Sequence, residues 1–165
     1  MVRMGELAAS REAGHTLVSL GLGSCIGLAL VDQRSGVAGL AHVVLPESAG
    51  RDDKIGRFAD RAVPALVDEL QRLGAVRPRL RAILVGGASM FALGGGGLDV
   101  GPRNDAAVRE QLKALRIPIA ATETGGNRGR TIRVDVESGR VTSKEAGGAE
   151  TELFAGANAP LRAAA

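Results

Sequence analysis

The chain has 165 residues, 45% of them hydrophobic and 24% charged, which fits one soluble domain with a core of its own. Its 21 basic and 18 acidic residues nearly cancel, and with no Trp, no Tyr and three Phe it lacks the stacking platforms of a single-stranded nucleic-acid reader. The longest apolar run, Cys25 to Val31, is far below the ~20 residues of a membrane span, and the mixed-charge start is not a signal peptide, so we expect a cytoplasmic protein without membrane insertion.

His15 to Leu20 reads as a short strand. Cys25 to Val31, apolar at successive positions, suits a strand buried on both faces. The cluster Asp32-Gln33-Arg34-Ser35-Gly36 turns the chain, and Val37 to Val44 returns as a second strand closed by Leu45-Pro46. Arg57 to Leu73 repeats apolar side chains at three- and four-residue steps and predicts a helix, with Asp60 as its cap, Pro64 near the first turn and Gly74 as its stop. A strand over Leu80 to Val85 leads into the glycine-rich stretch ending at Gly97, whose Gly94 to Gly97 run reads as a surface loop. It lacks the Lys-Ser/Thr ending of a phosphate-binding loop.

A second helix is predicted from about Asp105 to Arg116, capped by Asn104 or Asp105, followed by a strand over Ile117 to Ala121 and a loop from Thr124 to Arg130. Thr131 to Val136 alternates apolar and polar residues as a half-exposed strand, and a last short strand is expected near Val141. Beyond Ala146 the Ala/Gly-rich tail shows no periodicity and is expected to be frayed, leaving residues 1–146 as the single domain and 147–165 as a flexible extension.

One cysteine excludes an intrachain disulfide and any multi-cysteine zinc site, so Cys25 is either a small buried hydrophobe or a reactive thiol. A thiol becomes a nucleophile when a neighbour generates its thiolate, and histidine is the usual partner. His15 opens a strand among polar residues and suits a surface position. His42 lies across the proposed hairpin from Cys25, where two antiparallel strands bring their ends together; a core imidazole bonded to a carbonyl is the alternative. Cys25 follows Gly21-Leu22-Gly23-Ser24, a bend whose amides, around Gly23 and Ser24, can point at a developing oxyanion. The hydroxyl of Ser19 could hold the far nitrogen of His42 as the third member of a triad, or simply satisfy its own strand. No spacing matches a metal site, and none is expected, nor a cofactor. Arg128 and Arg130 beside Gly125-Gly126 suit ordinary salt bridges or an anion.

Five stretches occur together and in order: Leu20-Gly21-Leu22-Gly23-Ser24-Cys25, Gly39-Leu40-Ala41-His42-Val43-Val44-Leu45-Pro46, Gly86-Gly87-Ala88-Ser89-Met90-Phe91, Gly101-Pro102-Arg103-Asn104 and Thr124-Gly125-Gly126-Asn127-Arg128-Gly129-Arg130. From about residue 5 to 145 this pattern resembles the CheD chemoreceptor glutamine deamidases. The resemblance implies an α+β fold, a mixed β-sandwich flanked by helices and similar to the catalytic domain of cytotoxic necrotizing factor. It implies a protein-glutamine deamidase that converts glutamines on the cytoplasmic helices of methyl-accepting chemotaxis receptors to glutamate. Cys25 falls on the family's nucleophile and His42 on its base. Ser19 stands where the family usually has threonine, and Glu123 where it has aspartate. A CheC-type phosphatase is an implied partner, and a docking module for it with weak or no catalysis is the alternative reading. Hydrolysis of receptor glutamyl methyl esters by the same thioester route is a third.

Overall fold

The computed structural model describes residues 1–51, 54–90 and 99–157. In chain order the elements are β1 (Leu7–Ser10), β2 (Thr16–Leu22), β3 (Ile26–Asp32), β4 (Val37–Val43), α1 (Ala59–Arg72), β5 (Arg81–Gly86), α2 (Val100–Ala114), β6 (Ile119–Thr124), β7 (Arg130–Asp135), β8 (Val141–Glu145) and β9 (Glu150–Phe154). Five strands form one sheet in the order β1-β4-β3-β5-β6, antiparallel except for the parallel β5–β6 pair. The other four form an antiparallel sheet in the order β2-β7-β8-β9. The architecture is therefore α+β, with two sheets and two helices.

Alternation along β3 and β4 builds two cores on opposite faces of the larger sheet. Ile26, Leu28 and Leu30, with Val37, Ala41 and Val43, pack under α1 and α2 against Ala62, Leu66, Leu70, Val108 and Leu112. Ala29 and Val31, with Ala38 and Leu40, face the smaller sheet and meet Leu17, Leu22, Ile132 and Val134. This is why the Cys25 to Val31 run is apolar at both parities: every residue of β3 is buried. In β2 the pairing with β7 shifts between Ser19 and Leu22, a bulge that leaves Leu20 and Gly21 exposed while Ser19 and Leu22 both point inward.

Several sequence expectations need correction. Helix α1 starts at Ala59, after an extended Phe58, so Asp60 is not its cap; the Asp60 carboxylate instead accepts hydrogen bonds from the Ser48 amide and hydroxyl and ties down the preceding loop. Pro64 consequently sits inside the helix rather than in its first turn. Helix α2 begins at Val100, earlier than predicted, and packs its Gly101 against the carbonyls of Gly87 and Ala88. Asn104 and Asp105 are thus helical and cap nothing. The tail is not frayed directly after Ala146, because Glu150 to Phe154 pair with β8 as β9, so the second sheet runs past the expected domain end. Strand β1 was not anticipated. The Gly94 to Gly97 run lies outside the described residues, as do residues 158–165.

Candidate active site

The site forms where β3 and β4 meet the bulged end of β2. In the β3–β4 ladder Gly27 lies opposite His42 and Ile26 opposite Val43. Cys25, one residue before β3, shares the parity of Gly27 and belongs to the core between the sheets. His42, of the same parity as Leu40, faces the same way. Cys25 is therefore diagonal to His42 across the ladder, a relation that spans about 7–8 Å between backbones. Gly27 carries no side chain between them, and a Cβ there would fall 2.6 Å from a Leu22 methyl and 3.0 Å from an Ile132 methyl. The hairpin thus puts Cys25 and His42 on the same face of the sheet, at diagonal positions of the ladder.

Ser19 joins them from the other sheet. Its Oγ lies 2.7 Å from His42 Nδ1 and donates to the carbonyl of Val2 at 2.9 Å. All three side chains are buried: Cys25 is 7% exposed, His42 3% and Ser19 fully enclosed. The other ring nitrogen, His42 Nε2, is buried without a hydrogen-bond partner. No hydrogen bond joins it to the Cys25 thiol.

Burial sets the charge states. It pushes the Cys25 thiol up from its ordinary 9.0, and it holds the His42 imidazole below its ordinary 6.5, partly opposed by the Val2 carbonyl and the negative charge of Glu6. At neutral pH the resting pair is therefore thiol and neutral imidazole, not an ion pair. The same shifts make a stability prediction. Below about 6.5 the unfolded chain takes up a proton on this histidine before the folded one does, so stability falls as pH drops toward the lowered folded value. Above about 9 the unfolded thiol ionises first, so stability falls again as pH rises toward the raised value. Urea midpoints measured from pH 5 to 10 should be flattest between these limits, and His42→Gln should weaken the acid-side decline.

The bend that carries Cys25 is pinned through three successive carbonyls. Gly23 O accepts from the Ala88 amide at 2.8 Å, Cys25 O from the Gly87 amide at 2.8 Å, and Ser24 O from Asn104 Nδ2 at 3.0 Å. Among the described residues no backbone carbonyl accepts from the amides of Ser24 or Cys25. The Thr124 to Arg130 loop buttresses the same place from behind. Gly125 N–H donates to Gly86 O, Ser89 N–H to Gly126 O, and the Arg130 guanidinium to Gly125 O while pairing with Glu145. Arg128 also faces Glu145, so both arginines make ordinary ion pairs. His15 is exposed and bonded to Glu12 and Ser10, away from the thiol. Among the described residues no three His, Cys, Asp or Glu side chains converge as metal ligands.

Asn104 is the participant that the cap reading of its sequence concealed. It is fully buried, and Nδ2 also donates to Val44 O at 2.8 Å, so one amide joins the residue before the thiol to the end of the histidine strand. The available signal was its place with Gly101, Val108 and Leu112 on the buried stripe of α2. Asn104→Ala takes the donor from two part-buried carbonyls, and we expect a loss of about 1–3 kcal/mol in stability, read from urea denaturation.

A family profile described as CheD chemotactic sensory transduction matches residues 44–145, beginning just past His42. The chain is 42% identical over 150 residues to the chemoreceptor glutamine deamidase CheD of Thermotoga maritima, covering 91% of this chain and 94% of that protein. It is 45% identical over 141 residues to the probable chemoreceptor glutamine deamidase CheD of Desulforamulus reducens, covering 81% and 82%. It is 42% identical over 137 residues to the probable chemoreceptor glutamine deamidase CheD of Clostridium kluyveri, covering 81% and 85%.

Proposed function

The chain belongs to the CheD family, and on that premise we propose that it deamidates glutamine side chains of chemoreceptors, giving glutamate and ammonia through a thioester on Cys25. The observation that carries the chemistry is the His42 ring, held at Nδ1 by Ser19 and buried without a partner at Nε2 on the face it shares with Cys25. Nε2 takes the thiol proton as sulfur attacks the carboxamide carbon, so a C–S bond forms and the carbonyl oxygen becomes an oxyanion. Because burial keeps the thiol protonated at rest, this transfer accompanies attack rather than preceding it. The Gly23 amide is already donated to Gly21 O at 3.0 Å, so the amides of Ser24 and Cys25, on a bend whose carbonyls are tied behind it, are the oxyanion donors in this reading. The tetrahedral intermediate collapses with cleavage of the C–N bond, and the imidazolium proton leaves on ammonia. Nε2 then takes a proton from water as it attacks the thioester, the C–S bond breaks, and that proton returns to sulfur.

The likeness to the catalytic domain of cytotoxic necrotizing factor belongs to the same reading, supported by a cysteine and a histidine set between two packed sheets. Ser19 offers the hydroxyl that the family's threonine offers, without the methyl that restricts its χ1. Its bond to Val2 supplies an alternative restraint. Docking to a CheC-type phosphatase and hydrolysis of glutamyl methyl esters are further activities within this reading. The direct test is to incubate the protein with a receptor cytoplasmic fragment and follow conversion of glutamine to glutamate by peptide mass spectrometry, with released ammonia assayed in parallel. Ammonia release matching the modified glutamines supports the assignment; an unmodified fragment at enzyme excess refutes it and leaves the docking role.

A further inference from the structure

We infer that the amino-terminal segment is a working part of this site, because the main-chain carbonyl of Val2 selects the tautomer of His42. Residues 2–6 run from one sheet to the other. The Val2 amide donates to Val18 O on β2 at 2.8 Å, the Gly5 amide to His42 O on β4 at 3.0 Å, and the His42 amide to Glu6 O at 2.9 Å. Val2 itself is only 2% exposed and packs in the core between the sheets. Glu6 is held in turn by the Arg3 amide and by Lys54. The segment is therefore a strap fastened on both sides of the histidine.

The proton count follows from elementary valence. A serine hydroxyl has one proton, and a carbonyl oxygen can only accept. The 2.9 Å contact from Ser19 to Val2 uses that proton, so the 2.7 Å contact between Ser19 and His42 must use a proton on Nδ1. Neutral His42 then carries its lone pair on Nε2, the nitrogen left buried and unpartnered. Were the Val2 carbonyl removed, Ser19 could donate to Nδ1 instead, and Nε2 would carry the proton and cease to be a base. Val2 and Ser19 are thus positioning residues acting through His42. The tautomer assignment stands on geometry alone, while its catalytic meaning rests on the deamidase reading.

The test is nitrogen-15 NMR of the two histidine rings in the full-length protein at a pH above the ring titration, with His15→Gln separating the signals. We expect the wild-type His42 ring to show a pyrrole-type Nδ1 and a pyridine-type Nε2. A pyridine-type Nδ1 overturns the inference, and this spectrum decides the matter even if a variant fails to fold. Val2→Asp, which puts a charge at a buried position and expels the strap, should give mixed tautomers and lower kcat about tenfold with KM little changed, part of the roughly 10²–10⁴ that a positioned base supplies. In a Ser19→Ala background Val2→Asp should cost nothing further in kcat. An unaltered ring spectrum in Val2→Asp, or additive losses in the double variant, would refute the role of the strap. The expected tautomer in a protein that deamidates nothing would instead refute the deamidase reading and leave the strap intact.

Discussion

Replacing Cys25 by alanine should abolish deamidation of a receptor fragment while leaving the domain folded. In the proposed mechanism the sulfur is the atom that forms and breaks the bond to the substrate carbon, so no neighbour can take over its part. Variants lacking the nucleophile of a covalent mechanism retain only what binding and oxyanion donors supply, and the expected loss is about 10⁴-fold or more. Stability should move little, because one small side chain at the edge of the inter-sheet core is shortened by a single atom, worth about 1 kcal/mol. Paired measurements of ammonia release and urea midpoint check both halves. Turnover that survives in Cys25→Ala would remove the thioester from the mechanism, whereas loss of folding would show that this residue serves packing first.

Among the described glycines, Gly86→Ala is expected to be the most disruptive added methyl. Gly86 has φ of +114°, a conformation open to glycine, and a Cβ there would fall 2.2 Å from the Cys25 carbonyl oxygen and 3.3 Å from Leu22 Cβ. The nearest obstacle is backbone, so no side-chain rotation relieves it. That backbone is held in place by the Gly87 amide and by the Ile26–Gly86 pairing of β3 with β5. The substitution must push β5 away from the cysteine bend, and we expect a cost of about 3–5 kcal/mol, a large share of the stability of an ordinary domain. Gly36→Ala supplies the control. Gly36 has φ of +62° with nothing within 4 Å of the added methyl, so it should cost only the left-handed backbone term of about 1–2 kcal/mol. Equal shifts of the two urea midpoints would show that the collision at Cys25 is absorbed.

The parts of this fold that were legible in the sequence are those whose own residues carry the signal. The β3–β4 hairpin announces itself by a run apolar at both parities and a polar turn, because β3 is covered on both faces. Helix α1 is written in its three- and four-residue spacing. The edges were not legible. Strand β1 is four half-buried residues that draw their order from β4, and β9 reads Glu-Thr-Glu-Leu-Phe, polar enough to pass for a tail until β8 pairs with it. The early start of α2 hid behind Val100-Gly101-Pro102, which looks like a loop although proline is at home in a first helical turn. At the site, Cys25, His42 and Ser19 could be grouped by spacing and family pattern. Val2 could not, because it contributes a main-chain oxygen that any residue there would own. Asn104 was visible as part of a motif, but its donation to Ser24 and Val44 depends on elements far apart in the chain.

Strand β3 is hydrogen-bonded along both sides, by β4 and β5, and lies under helices on one face and a second sheet on the other. Segments so enclosed are the last to open when a protein breathes, since they come apart only with the whole. Cys25 is rooted directly before this enclosed strand. In the proposed deamidation, the yielding that admits a glutamine side chain is therefore expected at the periphery rather than in the strand that roots the cysteine.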